Sequence, residues 1–226
     1  MSHHDPNGAR VMKHPLASRL FHWGLILGFL PAAITGFIIW YKPESEDFAN
    51  LAMRIHIIGA AILTVSAVLY SIFKLDRVVG FLRRIFSWDQ RDLRWAMLQG
   101  GYPQKILFGI NILVPPMGKM NSGQKIFGIC LFFGGLILML TGWVLYAFIP
   151  VAPKELVYWF DQAHLIMGIF LGLFMFVHIA LAIYNWGEFL CMFVNGGTQP
   201  LEECKHHNPV WVAEEIEPVK GSGKAC

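Results

Sequence analysis

Four stretches of the chain, 20–41, 55–73, 126–153 and 162–187, contain no Asp, Glu, Lys or Arg. A helix rises about 1.5 Å per residue and the hydrocarbon core of a bilayer is roughly 30 Å thick, so each stretch is long enough to cross. The 226 residues are 55% hydrophobic and only 15% charged, too few charges to cover a soluble surface. The fold expected is an all-α integral membrane protein, a four-helix transmembrane bundle with spans at about 20–41, 55–73, 126–150 and 162–187. A fifth uncharged run, 106–118, is too short to span and carries Pro115 and Pro116, which suits an interfacial or re-entrant segment. The first run is longer than a signal-peptide core and no A-x-A-like site closes it, so it is read as a true span.

Orientation follows from the 18 Lys and Arg residues, because basic loops stay in the cytoplasm. With both termini cytoplasmic, fifteen lie inside, including Arg10, Lys13, Arg19, Lys205, Lys220 and Lys224; only Lys42, Arg54 and Lys154 lie outside. The outer loops, 42–54 and 154–161, are then short. The inner loop of roughly fifty residues holds SWDQRDLRWAML (87–98), where charges alternate with Trp88, Leu93, Trp95 and Leu98, a pattern that suits a helix in the headgroup plane and nearly as well an ordinary solvated loop. The chain reads as a membrane domain, 1–195, and a polar cytoplasmic tail, 196–226, that docks on a partner or stays mobile. No soluble segment is large enough for a catalytic centre. Membrane lipid is the surrounding partner, and nothing calls for nucleic acid.

Cys130, Cys191, Cys204 and Cys226 form no C-x-x-C or C-x-x-C-H pattern, which argues against covalent haem, an iron-sulfur cluster or a zinc ribbon in this chain. Cys130 and Cys191 read as packing residues; Cys204 and Cys226 fall in the polar tail.

Five of the nine histidines, His3, His4, His14, His206 and His207, lie outside the spans. The other four are His22, His56, His164 and His178. An ionisable side chain in lipid needs a partner. With the orientation above, His22 and His178 sit toward the cytoplasm, and His56 and His164 toward the outside. Fourteen residues separate His164 from His178, about 40° short of four whole turns, so the two share a face with a rise of about 21 Å. Any one of the four alone is as well explained as a hydrogen-bonded packing residue. Together they form two imidazole pairs, one above the other, which fit two haems held between facing helices. Gly168 and Gly172 near His164, Gly59 near His56 and Gly24 near His22 offer room for a flat macrocycle. Met139, Met167 and Met175 are alternative axial ligands in principle, but four histidines already complete both irons. A haem-free metal transporter is the competing class, and it would be expected to place carboxylates or thiolates at midplane; these spans hold no Asp or Glu.

Before the third span comes GKMNSGQK, 118–125. Asn121, Ser122 and Gln124 offer donors and acceptors at the membrane surface and Gly123 allows close backbone approach, as a quinone carbonyl would require. Asn-Ser before a helix is also an ordinary N-cap, and the residues alone favour capping.

These residues together resemble the gamma subunit of membrane-bound respiratory formate dehydrogenases, a dihaem cytochrome b related to that of membrane nickel-iron hydrogenases. The resemblance covers nearly the whole chain and rests on His22-Trp23, IHIIG at the second span, NSGQK before the third, the two histidines of the fourth, and a tail with His206, His207, Pro209 and Trp211. It implies an outer haem b on His56 and His164, an inner haem b on His22 and His178, and a menaquinone site at Asn121, Gly123 and Gln124 beside His178. It also implies an outer iron-sulfur subunit coupled to a molybdenum or tungsten formate dehydrogenase as partners, in a bacterial inner membrane. The same architecture could instead serve a hydrogenase, a thiosulfate or polysulfide reductase, or a multihaem cytochrome.

Overall fold

The computed structural model describes residues 8–217. Lys220, Lys224 and Cys226, like both chain ends used in the orientation argument, lie outside the described residues. In chain order the main elements are β1 Arg10–Met12, α1 Leu16–Tyr41, α2 Glu46–Phe73, α3 Leu75–Phe86, α4 Gln90–Met97, α5 Tyr102–Phe108, α6 Ser122–Phe148, α7 Lys154–Tyr184, α8 Trp186–Phe193, β2 Thr198–Pro200 and α9 Leu201–His207. Among the described residues, α1, α2, α6 and α7 are long and apolar enough to cross a membrane. Lipid offers no hydrogen bonds to the backbone, which is why such runs adopt helices. The chain divides into two compact units, one of residues 15–78 and 130–186, the other of the described parts of 1–14, 79–129 and 187–226.

The helices outrun the uncharged stretches. Ser45 caps α2, accepting a hydrogen bond from the Phe48 N–H at 3.3 Å, and Glu46 and Asp47 lie in the first turn, where acids favour the helix dipole. Most of the expected loop 42–54 is therefore helical. Pro153 likewise precedes α7, so 154–161 forms its first two turns.

In the first unit, α1 and α2 meet through glycine. A Cβ on Gly59 would lie 2.7 Å from the Gly28 carbonyl oxygen, and one on Gly28 would lie 2.8 Å from that of Gly59. Two backbones this close leave no room for a side chain, and backbone cannot rotate aside. Gly59→Ala is expected to cost about 1–3 kcal/mol by overpacking, read as a lower melting temperature of the chain in detergent. Phe21 stacks on Tyr70 at 4.3 Å between ring centres, and the Ser18 and Tyr70 hydroxyls lie 3.0 Å apart. Trp143 on α6 donates its indole N–H to the Thr64 hydroxyl of α2 at 2.9 Å. Met167 and Leu171 of α7 pack against Gly134 of α6. Leu27, Ile34, Leu140, Ile166 and Leu173 are exposed, as faces turned to lipid would be.

In the second unit, α4 confirms the helix read from SWDQRDLRWAML. Its capping box joins Asp89 and Asp92, each side chain accepting from the other's backbone N–H. Beyond α5 and Gly109 the chain is irregular to residue 121, with Leu107, Phe108 and Leu113 exposed, as suits the interfacial segment expected there. Of the tail expected to dock on a partner or stay mobile, the described residues 196–217 hold β2 and α9. β2 pairs antiparallel with β1, Val11 opposite Gln199. Val11, Cys204, Trp211 and Val212 form a buried cluster, so Cys204 sits in a core and not on a polar surface.

Candidate functional site

The four span histidines fall in one unit and meet in two pairs. The His22 and His178 ring centres are 6.4 Å apart, tilted by 53°; those of His56 and His164 are 6.0 Å apart at 70°. His56 lies beside Ala32, Thr35 and Gly36 of α1. Gly36 follows His22 by the same fourteen residues that separate His164 from His178, so both helices set the pairs about 21 Å apart along their axes.

Two imidazoles that would share one iron, with bonds of about 2 Å and each ring centre about 1.2 Å past its nitrogen, would have centres roughly 6.4 Å apart. Both pairs match that spacing. In the His56–His164 pair the nitrogen that would face away from a metal is engaged. His56 Nδ1–H donates to the Ala32 carbonyl at 2.8 Å, and His164 Nδ1 lies 2.9 Å from the Thr141 hydroxyl. Such a contact fixes ring orientation and directs Nε2 to the ligand position. The residues present therefore fit a bis-imidazole iron at each pair.

The glycines divide by role. A Cβ on Gly172 would meet nothing within 4 Å, and one on Gly168 only Leu138 at 4.0 Å, leaving room on the histidine face of α7. Gly24 and Gly59 instead admit neighbouring helix atoms, Ser66 for the former and Gly28 and Ala32 for the latter. The glycines in contact with the imidazoles are Gly36 and Gly142, which the sequence reading passed over. The signal was present: both follow a threonine, and no other Thr-Gly dipeptide occurs in the chain.

In the other unit, Asn121 and Gln124 form a reciprocal cap on α6. Gln124 N–H donates to Asn121 Oδ1 and Asn121 N–H to Gln124 Oε1, both at 2.9 Å. With both amide oxygens committed, what these side chains can offer a ligand is their NH₂ donors. The capping and ligand readings of the loop are thus compatible. The indole of Trp95 fills the space beside Gly123, where a Cβ would lie 3.2 Å from the ring, and also lies over Gly100, whose φ of 63° favours glycine.

Asp92 fixes this loop from below. Only 3% exposed, it accepts from Lys125 Nζ at 2.7 Å and from Ser122 Oγ at 3.0 Å. Neighbouring Asp89 is exposed, and its carboxyl is held at about 2 chiefly by the Arg91 side-chain hydrogen bond, then by the Asp92 N–H. Because that value is depressed, the cap's contribution is complete above about pH 4 and fades as pH falls toward 2. A second buried group joins distant parts of the unit: Lys13, 4% exposed, bonds Glu188, Gln199 and Asn208. Beside it, burial foremost and then Glu188 push the Cys191 thiol up to about 11, so it is inert as a nucleophile or ligand near neutrality.

The family model described as prokaryotic cytochrome b561 matches residues 13–193, a region holding all four span histidines and the 118–125 loop. A relative, the formate dehydrogenase cytochrome b556 subunit of Haemophilus influenzae, is 26% identical over an alignment covering 93% of this chain and 85% of its own length. With four apolar helices and a family match over most of its length, the chain belongs to the prokaryotic cytochrome b561 family, multi-pass electron-transport proteins of the bacterial inner membrane.

Proposed function

We propose that the chain is the dihaem membrane subunit of a formate dehydrogenase-like respiratory complex, carrying electrons inward to menaquinone. The observation that carries this reading is the presence of two imidazole pairs, at 6.0 and 6.4 Å, spaced fourteen residues apart on α7, one completed by α2 and the other by α1. His56 and His164 would hold an outer haem b, and His22 and His178 an inner one. When bound, the haems supply one-electron relay sites between the two membrane faces. The protein's own part is geometric: α1 and α7 fix the separation of the sites, the apolar helix faces exclude water, and Thr141 and the Ala32 carbonyl orient two of the rings.

Electrons enter from an outer iron-sulfur subunit that receives them from a molybdenum or tungsten formate dehydrogenase. The name of the Haemophilus influenzae relative supports that enzyme. Menaquinone takes up two electrons and two cytoplasmic protons, with the Asn121 and Gln124 NH₂ groups donating to its carbonyl and Gly123 beside it. The fifteen-to-three distribution of Lys and Arg supports this orientation, with both termini cytoplasmic. Inward electron movement with proton uptake inside separates charge.

The purified complex is expected to contain two haems b per copy of this chain by pyridine haemochromogen assay. His164→Ala and His178→Ala should each lose one haem and abolish formate-dependent menaquinone reduction. Haem content unchanged in both variants would overturn the assignment, and the identity of the copurifying subunits tests the donor.

A further inference from the structure

The two Thr-Gly dipeptides sit against His56 and His164 in the same way. Thr35 donates its hydroxyl to the Pro31 carbonyl and Thr141 to the Ile137 carbonyl, both at 2.6 Å and both four residues back. With its proton committed, each hydroxyl oxygen can only accept. Nδ1 of His56 lies 3.4 Å from Thr35 Oγ1, and Nδ1 of His164 lies 2.9 Å from Thr141 Oγ1. At His56 a carbonyl three residues before the threonine, that of Ala32, adds a second acceptor. The glycine that follows each threonine makes room for the ring: a Cβ would lie 3.2 Å from His56 Cε1 at Gly36 and 3.0 Å from His164 Cε1 at Gly142. One helix of each hairpin, α1 or α6, thus presents a hydroxyl and a bare Cα to a histidine on the next helix, and α1 adds a carbonyl. The motif is repeated, but weighted differently: His56 leans on the carbonyl at 2.8 Å, and His164 on the threonine at 2.9 Å.

The geometry points to Thr141, and to a lesser degree Thr35, as positioning residues that set the reduction potential of the haem held by His56 and His164. This rests on the dihaem reading above. An acceptor on Nδ1–H makes the imidazole a stronger donor to iron, which favours the oxidised metal and lowers the potential. Loss of the acceptor should move that potential upward. The effect should be larger at Thr141, because His56 keeps the Ala32 carbonyl when Thr35 is changed.

The test is a redox titration of the b-type absorption bands in the purified complex for wild type, Thr35→Val, Thr141→Val and Thr141→Ser. Val keeps the shape and removes the hydroxyl; Ser restores it. The expected result is an upward shift of one of two midpoints in Thr141→Val, a smaller shift of the same midpoint in Thr35→Val, and the wild-type value in Thr141→Ser. Should Thr141→Val lose one haem that Thr141→Ser retains, the positioning role is equally supported. Two wild-type transitions that neither valine variant moves would overturn this inference and leave the dihaem reading intact. So would an equal shift in Thr141→Val and Thr141→Ser. A wild-type complex without two b-type transitions would overturn both.

Discussion

Asp92→Ala is expected to destabilise the unit containing α4 and the start of α6 by about 3–5 kcal/mol. The carboxylate is nearly inaccessible and makes several contacts that nothing nearby can replace. Lys125 Nζ, itself 13% exposed on its side chain, keeps the Ser87 carbonyl at 2.7 Å and the face of the Trp88 ring at 5.9 Å once Asp92 is gone, but no carboxylate. Its positive charge then stays buried without a counter-ion, which is where most of the cost arises. Ser122 Oγ, fully buried, retains the Asp92 carbonyl at 2.9 Å but loses the side-chain acceptor. The Asp89 N–H loses its partner at 3.1 Å, so half the capping box of α4 disappears. Loosening α4 also loosens Trp95, whose indole packs against Gly123. The expected readout is therefore double: a lower melting temperature, and menaquinone reduction reduced more than haem content, since all four span histidines lie in the other unit. Asp92→Asn, which keeps one acceptor but not the charge, should fall between. A melting temperature unchanged in Asp92→Ala would show that the Lys125 ammonium finds water instead.

How much of this was legible beforehand depended on whether the signal was local. The four spans and the pairing of the histidines follow from runs without charge and from helical pitch, both properties of short stretches. Helix ends did not follow. A charged residue marks the edge of lipid, whereas Ser45 and Pro153 mark the edge of the helix, and these differ by about two turns at α2 and α7. The amphipathic α4 could be read because its charges alternate with tryptophans. The role of its Asp92 could not, because the partners that give it meaning lie thirty residues on, at Ser122 and Lys125. Thr35 and Thr141 were passed over for a related reason: a hydroxyl in a membrane helix satisfies itself on the carbonyl one turn back, and only an imidazole from the next helix turns it into an acceptor. The polar composition of the tail left docking and mobility both open; two of its polar groups, Gln199 and Asn208, bond a lysine from the other end of the chain.

That lysine supplies the second large effect. Lys13→Met is expected to cost about 3–5 kcal/mol and to release the segment after residue 196 to proteolysis. Methionine matches the length of the lysine stem, so the loss is electrostatic and not a cavity. Lys13 Nζ is bonded to the Glu188 carboxylate, to Asn208 Oδ1 at 2.7 Å and to Gln199 Oε1 at 3.2 Å. Removing the ammonium leaves the mostly buried Glu188 carboxylate with the Gln199 amide as its partner and takes a charged donor from two buried amide oxygens. Gln199 lies on β2, opposite Val11 of β1, so the strand pair loses the side-chain link beside its ladder. Asn208 in turn donates to the Gly118 carbonyl at 2.7 Å, and Lys119 lies over the Trp211 ring at 4.9 Å, so the tail and the 118–125 loop are held together. Freed tail motion should therefore reach Asn121 and lower menaquinone reduction as well. Lys13→Met combined with Glu188→Leu removes both charges and should recover part of the lost stability, because the cost lies in the unpaired partner. If the double variant is no more stable than the sum of the two single losses, the ammonium and carboxylate are not coupled, and the tail is held by the apolar cluster of Val11, Cys204, Trp211 and Val212 alone.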